Sequence, residues 1–396
     1  MRPKLNSLPN RRAIIDRRVL ADRITELAQE HAGDATRMRA EVVGVLTEAL
    51  AIGRAEVARR LAEHPTRGRE PVTAFAFLID QILRLLYDAT VTYVYRPGNR
   101  STSEQIALMA VGGYGRGEMA PHSDVDIAFI TPYKPTGWTE QVIESMLYSL
   151  WDLGLKVGHS SRSVDETVRM AKSDLTIRTA LLEARYIWGD RATYDAAIAR
   201  FDAEVVRDGG RAFVADKLAE RDERHKRMGD SRYVVEPNVK EGKGGLRDLH
   251  TLFWIGKFLY RVRSVAELVD VGLLSARELQ QFQKAENFLW AVRCHLHTIT
   301  RRAEDRLTFD LQLEIATRMN FAPRAGRSSV ERFMRYYFLN AKIVGDLTAM
   351  FLAHLDDVTG GSEPRFFPVA TTHEGLNGVT AIIYPDMPEP GYLMAV

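Results

Sequence analysis

A glycine-rich turn between two short apolar runs constrains this chain more than any other feature. The first run, 106–111, ends at Gly112 and Gly113, and the second run, 125–130, follows a short polar segment. Apolar runs of about four to eight residues bounded by turn residues predict buried strands. A helical pattern and a further short strand pattern follow, at 140–153 and 156–160. The order of strand, glycine turn, short helix, strand, helix and strand predicts a small α/β core.

The rest of the chain is predicted to be mainly helical. Apolar residues recur there at helical spacing, in segments rich in Ala, Leu, Glu and Arg. The predicted helices lie at 37–63, 71–94, 164–172, 175–187, 194–223, 246–262, 278–302 and 329–355. The segment 234–249 has too many glycines for a helix, and 360–396 has several prolines and no clear period. The sequence therefore predicts the α+β class, with N-terminal helices, a small α/β core and a large C-terminal helical region.

The composition excludes several classes of protein. Among 396 residues, 54 Lys and Arg balance 52 Asp and Glu, so the net charge of +2 lacks the basic excess typical of nucleic-acid-binding proteins. The single cysteine, Cys294, excludes a disulfide framework and a cysteine-rich zinc site, and we expect it in the core. The polar N-terminus has no signal-peptide pattern, and the apolar stretch 71–95 contains Asp80, Arg84 and Asp88. We therefore expect a cytoplasmic protein that binds neither nucleic acid nor membrane.

Two carboxylates at the start of the second predicted strand are the strongest candidates for chemistry. Asp124 and Asp126 are two residues apart, so on a strand both side chains project from the same face. Like charges held this close repel each other unless a cation lies between them. Hard divalent ions such as Mg²⁺ bind through carboxylate oxygens and substrate phosphates. The pair therefore predicts a magnesium site.

The residues around this pair suit a phosphate group. Gly112 and Gly113 allow backbone N–H groups to approach a phosphate closely, Arg116 can neutralise its charge, and Ser123 can add a hydroxyl contact. Glycine pairs usually mark only turns, and Asp-x-Asp is frequent at exposed strand ends. Found together and in this order, they favour a site for metal-dependent phosphoryl or nucleotidyl transfer.

The same residues resemble a known family. The string Gly-Gly-Tyr-Gly-Arg-Gly-Glu-Met-Ala-Pro-His-Ser-Asp-Val-Asp-Ile at 112–127 is similar to the signature of polymerase-β-type nucleotidyltransferases. More specifically, the chain resembles the bifunctional uridylyltransferase/uridylyl-removing enzymes that modify the nitrogen-regulatory PII protein. Five further segments carry this likeness, at 157–162, 181–185, 237–249, 302–309 and 333–340. The resemblance covers residues 70 to 358.

The resemblance implies a reaction and roles for the candidate residues. UMP would pass from UTP to a tyrosine hydroxyl of PII, with release of pyrophosphate. Asp124 and Asp126 would hold the Mg²⁺ ions that bridge the UTP phosphates. Gly112 and Gly113 would cradle the phosphates, and Arg116 would balance the charge of the departing pyrophosphate.

The chain also departs from the family pattern. Such enzymes usually supply a third carboxylate from a later strand; Glu183 and Glu236 are the candidates here. No His-Asp dipeptide, the mark of the uridylyl-removing domain, occurs in the sequence, and glutamine-sensing domains are not found either. We therefore expect a truncated version that contains only the transferase half. Its parts would be a helical extension, a polymerase-β-like nucleotidyltransferase domain, a helical domain, and a linker or truncated domain start, at 1–69, 70–190, 191–358 and 359–396.

Basic residues in the glycine-rich segment are weaker candidates. Lys243 and Arg247 lie where this segment opens a predicted helix at Leu246. Because helix N-termini favour anions, either side chain could contact phosphate or PII. Equally, Arg247 and Asp248 could tie the helical region to the α/β core.

Several histidines and a charged segment are predicted to be structural. His159 lies on the third strand, where we expect a half-buried, hydrogen-bonded side chain rather than a nucleotide contact. His295 and His297 are two apart on a helix and face apart, so a shared metal is not expected. The segment 304–306 reads as a solvated, salt-bridged helix end.

Two alternatives to the leading interpretation remain open from the sequence. Nothing in the motif reads a base, so a related enzyme that transfers AMP to another protein or a small acceptor fits the same residues. A non-catalytic fragment that binds nucleotide or PII fits them too. Turnover with UTP compared with ATP separates the enzymatic readings, and any Mg²⁺-dependent turnover excludes the fragment.

Overall fold

Four short strands form one mixed sheet. Their bounds are Ala107–Ala110 (β1), Val125–Thr131 (β2), Val157–Ser163 (β3) and Arg185–Gly189 (β4). The strand order is β3-β2-β1-β4, with β1 antiparallel to β2 and β4, and β2 parallel to β3. The structure is a computed structural model, and it describes residues 8–96, 101–207, 209–359, 371–374 and 380–383.

Helices precede and follow the sheet and account for most of the described chain. Before β2 they are α1 Arg11–Ile14, α2 Arg17–Glu30, α3 Ala35–Glu63, α4 Arg69–Ala89 and α5 Gly112–Gly115. Between β2 and α10 they are α6 Gly137–Asp152, α7 Val164–Ser173, α8 Leu175–Leu182 and α9 Arg191–Phe201. The later helices are α10 Gly210–Arg227, α11 Leu246–Tyr260, α12 Glu267–Asp270, α13 Ala276–Thr300, α14 Phe309–Arg318 and α15 Ser329–Thr359. Short π-helical turns follow α4 and α9, at Thr90–Val94 and Asp202–Val206, and a 3-10 turn spans Thr102–Glu104. The strands β5 Thr371–Glu374 and β6 Thr380–Ile383 pair with each other in antiparallel orientation.

Both faces of the sheet are covered, which explains the continuous apolar runs of β1 and β2. Leu108 and Phe129 point to one face and share a core with α3, α4 and α6. Met109 and Ile130 point to the other face and pack with residues of α7, α9 and α11. Because alternate side chains of a strand point to opposite faces, a strand buried on both sides must be apolar at nearly every position.

The C-terminal helices form a second core. Trp290 of α13 and Phe333 and Phe351 of α15 are fully buried there. By length and composition alone, the stretch Ser329–Leu355 of α15 could cross a membrane. However, α15 packs against α11, α13 and α14. A helix at the centre of a helical core is also apolar, so this packing explains the composition of α15.

The α+β class and the position of the sheet are confirmed. The strand β1 falls within its predicted run, β2 and β3 extend one and three residues beyond their predicted ends, and the segment 234–249 stays non-helical up to α11. Most of the predicted terminal part, 359–396, lies outside the described residues.

Two predicted helices are wrong in part. The predicted helix 175–187 stops at Leu182, and its end is the strand β4, which pairs with β1. The β4 sequence Arg-Tyr-Ile-Trp-Gly has the aromatic and β-branched residues typical of strands, but five residues are too few to show a period. The predicted helix 194–223 is two helices, α9 and α10, separated by a π-helical turn.

Candidate active site

The glycine turn after β1 forms the short helix α5, and a buried tyrosine of this turn holds it in place. Gly112 has a φ of +57°, a conformation that costs other residues free energy. The next residue but one, Tyr114, is buried and donates a hydrogen bond to Asp80 Oδ1 of α4 at 2.7 Å. Arg185 of β4 also binds Asp80, at 2.7 and 3.0 Å, and donates to the Gly115 carbonyl. The turn is therefore anchored to both α4 and β4.

Asp124 and Asp126 lie beside this turn at the start of β2. Asp124 is exposed and Asp126 is half-buried. The Asp126 carbonyl accepts a hydrogen bond from Val111 N at 3.0 Å, which aligns the carboxylate strand with the turn. A Cβ at Gly112 would lie 3.6 Å from Asp126 Oδ2. The structure therefore places the glycine turn next to the carboxylate pair, as the sequence predicts.

A glycine on the neighbouring strand gives the Asp126 carboxylate its room. Gly158 of β3 is the register partner of Asp126. A Cβ at Gly158 would lie 2.4 Å from Asp126 Oδ1, closer than carbon and oxygen can approach. Sequence analysis passed over Gly158; the pairing of β2 with β3 was the signal that would have identified it.

The electrostatics of the pair suit a cation. Burial and the adjacent Asp124 raise the pKa of Asp126 to about 6, while Lys240 acts in the opposite direction. Within the described ranges, neither carboxylate has a Lys or Arg nitrogen within the 4.0 Å of an ion pair. Two oxygen ligands that repel each other and have no cationic partner are the donor set that a hard divalent ion prefers. The residues present therefore fit a magnesium ion.

The basic residues of the glycine-rich segment have different surroundings. Lys243 donates to Asp230 Oδ1 at 3.0 Å, and Arg247 pairs with Glu241 at 2.8 Å. Lys240 is the basic residue whose charge reaches Asp126. Burial, and then the nearby Arg293 and other cations, lower its pKa. Lys240 Nζ lies 3.6 Å from Glu241 Oε1, so each of the three basic residues has a carboxylate partner, and the predicted contacts of Lys243 and Arg247 with phosphate or PII stay predictions.

Arg116 lies in a buried ion-pair network. Its side chain is 9% exposed and contacts Glu118 at 2.8 Å and Glu183. The ring of His250 on α11 lies 3.3 Å from Arg116 Nη2. Burial disfavours its charge, but the two carboxylates together raise its pKa. These contacts make Arg116 a link between the glycine turn and the helical region, and its predicted role as a phosphate ligand stays a prediction.

The candidates for a third carboxylate are both engaged elsewhere. The Glu183 side chain is fully buried and faces Arg116 and Lys257. Glu236 accepts hydrogen bonds from Arg306 and from the Phe309 backbone, each at 3.0 Å. The assignment of either residue as a metal ligand is not favoured by these contacts.

The polar residues near the carboxylates have mixed outcomes. The Ser123 hydroxyl accepts a hydrogen bond from Ala120 N at 3.1 Å, so it closes a tight turn ahead of Asp124. Its predicted contact with nucleotide stays a prediction. His159 is exposed on β3, with its ring 6.2 Å from that of Trp151, so the prediction of a half-buried side chain is wrong. A strand at the edge of the sheet leaves such residues in solvent.

Most of the residues that were predicted to be structural in the helical region have structural contacts there. Cys294 is buried, and His295 and His297 bind different partners, the Pro65 carbonyl and Asp305. The interpretation of 304–306 as solvated is wrong for Asp305, which pairs with Arg293 at 2.7 Å and with His297 at 3.2 Å. Its partners come from α13, and the charge pattern of a short segment cannot identify them.

A second group of acidic and imidazole side chains lies between the two cores. Glu118, His250 and Glu286 have ligand-type atoms within 4.8 Å of one another. Arg69 pairs with Glu286 and also lies 3.8 Å from Glu118, and Arg116 pairs with Glu118. Burial and the neighbouring cations lower the pKa of His250, which favours its neutral form. Because two guanidinium groups already compensate the carboxylates, this cluster fits a structural role better than a metal.

Comparison with known proteins gives a consistent result. A family model described as GlnD PII-uridylyltransferase matches residues 212–352. A protein from Novosphingobium aromaticivorans named bifunctional uridylyltransferase/uridylyl-removing enzyme is 66% identical over 92% of this chain and 40% of its own length. Proteins of the same name from Erythrobacter litoralis and Rhodospirillum rubrum are 60% and 55% identical, over 88% and 87% of this chain.

The shared region is a part of these relatives. The chain spans 40%, 38% and 37% of their respective lengths. It contains the glycine turn, the carboxylate pair and the glycine-rich segment described above. Over the region that it shares with these relatives, the chain is similar to the bifunctional uridylyltransferase/uridylyl-removing enzymes, and its residues 212–352 match the PII-uridylyltransferase family model.

Proposed function

We propose that this chain catalyses Mg²⁺-dependent transfer of UMP from UTP to a tyrosine hydroxyl of a PII protein, with release of pyrophosphate, as part of nitrogen regulation in the cytoplasm. The observation that carries the proposal is the pair Asp124 and Asp126 beside the glycine turn, with no cationic partner within ion-pair distance among the described residues. The names of the relatives support uridylyl transfer in particular. We assign residues 70–190 to a polymerase-β-like nucleotidyltransferase domain and 191–358 to a helical domain.

Asp124 and Asp126 would hold the metal ion. When bound, the ion would neutralise phosphate charge and polarise the phosphate oxygens toward attack. The residues themselves provide two oxygen ligands on one strand face, and Gly158 keeps the space beside Asp126 open. Because its pKa is raised, Asp126 is a more basic ligand than an ordinary Asp, and it is ionised and able to bind a cation above a pH of about 6.

Other residues would bind and orient the nucleotide. At Gly112 and Gly113 no side chain separates the backbone from a phosphate that approaches Asp126. Lys240, whose charge acts on Asp126, would contribute a positive charge toward the phosphates. In the reaction, the tyrosine oxygen bonds to the α-phosphorus and releases its proton to water. The bond from that phosphorus to the bridging oxygen breaks, and pyrophosphate leaves. Positioning and charge neutralisation would supply most of the rate.

The test measures transfer of label from α-labelled UTP to purified PII in the presence of Mg²⁺, with α-labelled ATP in parallel. Asp124→Asn and Asp126→Asn should each lower the rate by at least about a hundredfold, because a neutral amide is a much weaker ligand for a hard cation. Asp195→Asn is the matched control, since Asp195 is an exposed carboxylate of α9 paired only with Arg191 four residues earlier.

Each outcome has a definite meaning. Transfer from UTP that is lost in both site variants and kept in the control supports the proposal. Transfer from ATP alone assigns the chain to an adenylyltransferase branch. No transfer from either nucleotide, by protein with an intact thermal unfolding transition, indicates a fragment that does not turn over. Full activity of both Asn variants would refute the site.

A further inference from the structure

Resting on the proposed function, we infer that His297 is a positioning residue that joins the two halves of the active site. One half is the carboxylate loop, residues 120–124, which leads into Asp124 and Asp126. The other half is the lysine segment, residues 237–245, which carries Lys240.

The first step is the hydrogen bonding of His297 itself. Its side chain on α13 is fully buried. Nδ1 lies 3.3 Å from the backbone N–H of His122 in the carboxylate loop, and Nε2 lies 3.2 Å from Asp305 Oδ1. A backbone N–H can only donate and a carboxylate can only accept. His297 must therefore be neutral, with its proton on Nε2, and both of its nitrogens are used.

The second step is the connection from Asp305 to the lysine segment. Arg293 of α13 binds the Asp305 carboxylate at 2.7 Å and keeps it ionised. Burial opposes this charge, but His297 and Arg293 together lower the pKa of Asp305. The backbone carbonyl of Asp305 accepts a hydrogen bond from Val239 N at 2.8 Å, and Val239 directly precedes Lys240. A continuous set of hydrogen bonds thus runs from His122 through His297 and Asp305 to the lysine segment.

The third step is the position of His122 within its loop. Ser123 and Ala120 close a tight turn through two hydrogen bonds, of 2.9 and 3.1 Å. His122 lies inside this turn, and its N–H points to the helical region rather than to the sheet. The bond to His297 is therefore a direct tie between α13 and the loop that sets the direction of Asp124. If it breaks, the carboxylates lose alignment with a phosphate held by Lys240.

Two substitutions separate the two bonds of His297. Asn places its side-chain oxygen near the position of Nδ1, so His297→Asn keeps an acceptor for His122 and loses the donor to Asp305. Gln places its amide nitrogen near the position of Nε2, so His297→Gln keeps the donor and leaves the His122 N–H without an acceptor. Since Asp305 retains Arg293, the Gln variant should be the more damaging one.

The experiment combines kinetics with nuclear magnetic resonance of protein labelled with ¹⁵N only at its 10 histidines. In the wild-type chain, the His297 ring should carry its proton on Nε2. In His297→Gln, the His122 amide resonance should shift, and kcat for UMP transfer should fall about tenfold with KM for UTP nearly unchanged. In His297→Asn, the His122 resonance should stay in place, and kcat should stay within about twofold of wild type.

The inference and the proposed function fail in different ways. A proton on Nδ1 of His297, an unshifted His122 amide in the Gln variant, or equal loss of kcat in both variants would overturn the inference. The location of the proton on the His297 ring is measured in the wild-type chain, so this test applies even if a substitution unfolds the protein. A wild-type chain that transfers no UMP would refute the proposed function, while the spectra would still decide the contact between His297 and the carboxylate loop.

Discussion

Position 158 has space for a hydrogen atom and for nothing larger. Asp126 Oδ1 occupies the volume where a Cβ of residue 158 would lie, at 2.4 Å. We predict that Gly158→Ala forces the Asp126 carboxylate out of alignment and lowers kcat/KM for UMP transfer by at least about tenfold. The fold should persist, because Ala is accepted in a β-strand and residue 158 is exposed. Initial rates and a thermal unfolding curve measure the two effects.

Gly44→Ala is the control for this substitution. Gly44 lies within α3, and a Cβ there would contact nothing within 4 Å. Because Ala is the better helix former by about 1 kcal/mol, this variant should unfold at a higher temperature and keep full activity. Equal loss of activity in both Ala variants would contradict the steric argument for Gly158.

The raised pKa of Asp126 gives a second prediction at the residue scale. The folded chain holds this proton up to pH about 6, whereas an ordinary Asp releases it near 3.8. Without metal, stability therefore falls as the pH rises through the window between these values. Asp126→Asn should accordingly raise the unfolding temperature in EDTA at a pH of about 7.5, and the gain should vanish at a pH of about 3.5. A gain that is equal at both values would show that the carboxylate is not under electrostatic strain.

Added Mg²⁺ should reverse the order of the two proteins. At the higher pH the cation binds only the folded state with both carboxylates, so it should raise the unfolding temperature of wild type and leave Asp126→Asn unchanged.

At the scale of elements, the lysine segment 237–245 carries two lysines with different surroundings: the charge of Lys240 lowers the pKa of Asp126, and Lys243 pairs with Asp230. Lys240→Ala should raise KM for UTP about tenfold with a smaller change in kcat, because a charge-assisted contact to phosphate is lost. Lys243→Ala should leave KM unchanged, since Lys243 pairs with Asp230. Steady-state kinetics over a range of UTP concentrations distinguish the two. The reverse order would restore Lys243 as the phosphate-binding residue.

The same elements show how far the sequence could lead. The runs that became β1 and β2 were identifiable because burial on both faces makes a strand apolar throughout, and the carboxylate pair was identifiable from its spacing. The strand β4 was missed because its five residues follow a helix without a strong break. Gly158, Lys240 and the contact of His297 with His122 were out of reach for another reason. Each depends on a partner that is 32 or more residues away in sequence, and spacing within one segment cannot encode such a partner.

At the scale of the whole molecule, buried charges join the sheet to the helical region. Arg116 follows the glycine turn, Glu183 ends α8, and Lys257 lies on α11. Next to them, Arg69 at the start of α4 binds Glu286 of α13. Burial and the nearby Glu118 raise the pKa of Glu286, although Arg69 opposes this effect. The two cores thus meet through compensated charges rather than through apolar contact alone.

Removing one member of this network should cost far more stability than a surface ion pair would. Arg116→Ala removes the cation that pairs with both Glu118 and Glu183, in a place where Glu183 is fully buried. The expected loss is about 3–5 kcal/mol in the free energy of unfolding, measured by urea denaturation. Arg200→Ala is the control. Arg200 pairs with Asp165 and Glu204 on the surface, and its loss should leave the urea midpoint nearly unchanged.

A second substitution identifies the origin of that loss. If the cost of Arg116→Ala is the unpaired charge of Glu183, then adding Glu183→Gln should return part of the lost stability, because contacting residues are not additive. A ligand for phosphate would behave differently: Arg116→Ala would then abolish UMP transfer with the urea midpoint unchanged, and Glu183→Gln would recover nothing. The double variant therefore decides whether Arg116 acts on the nucleotide or holds the glycine turn against α8 and α11, where its contacts now place it.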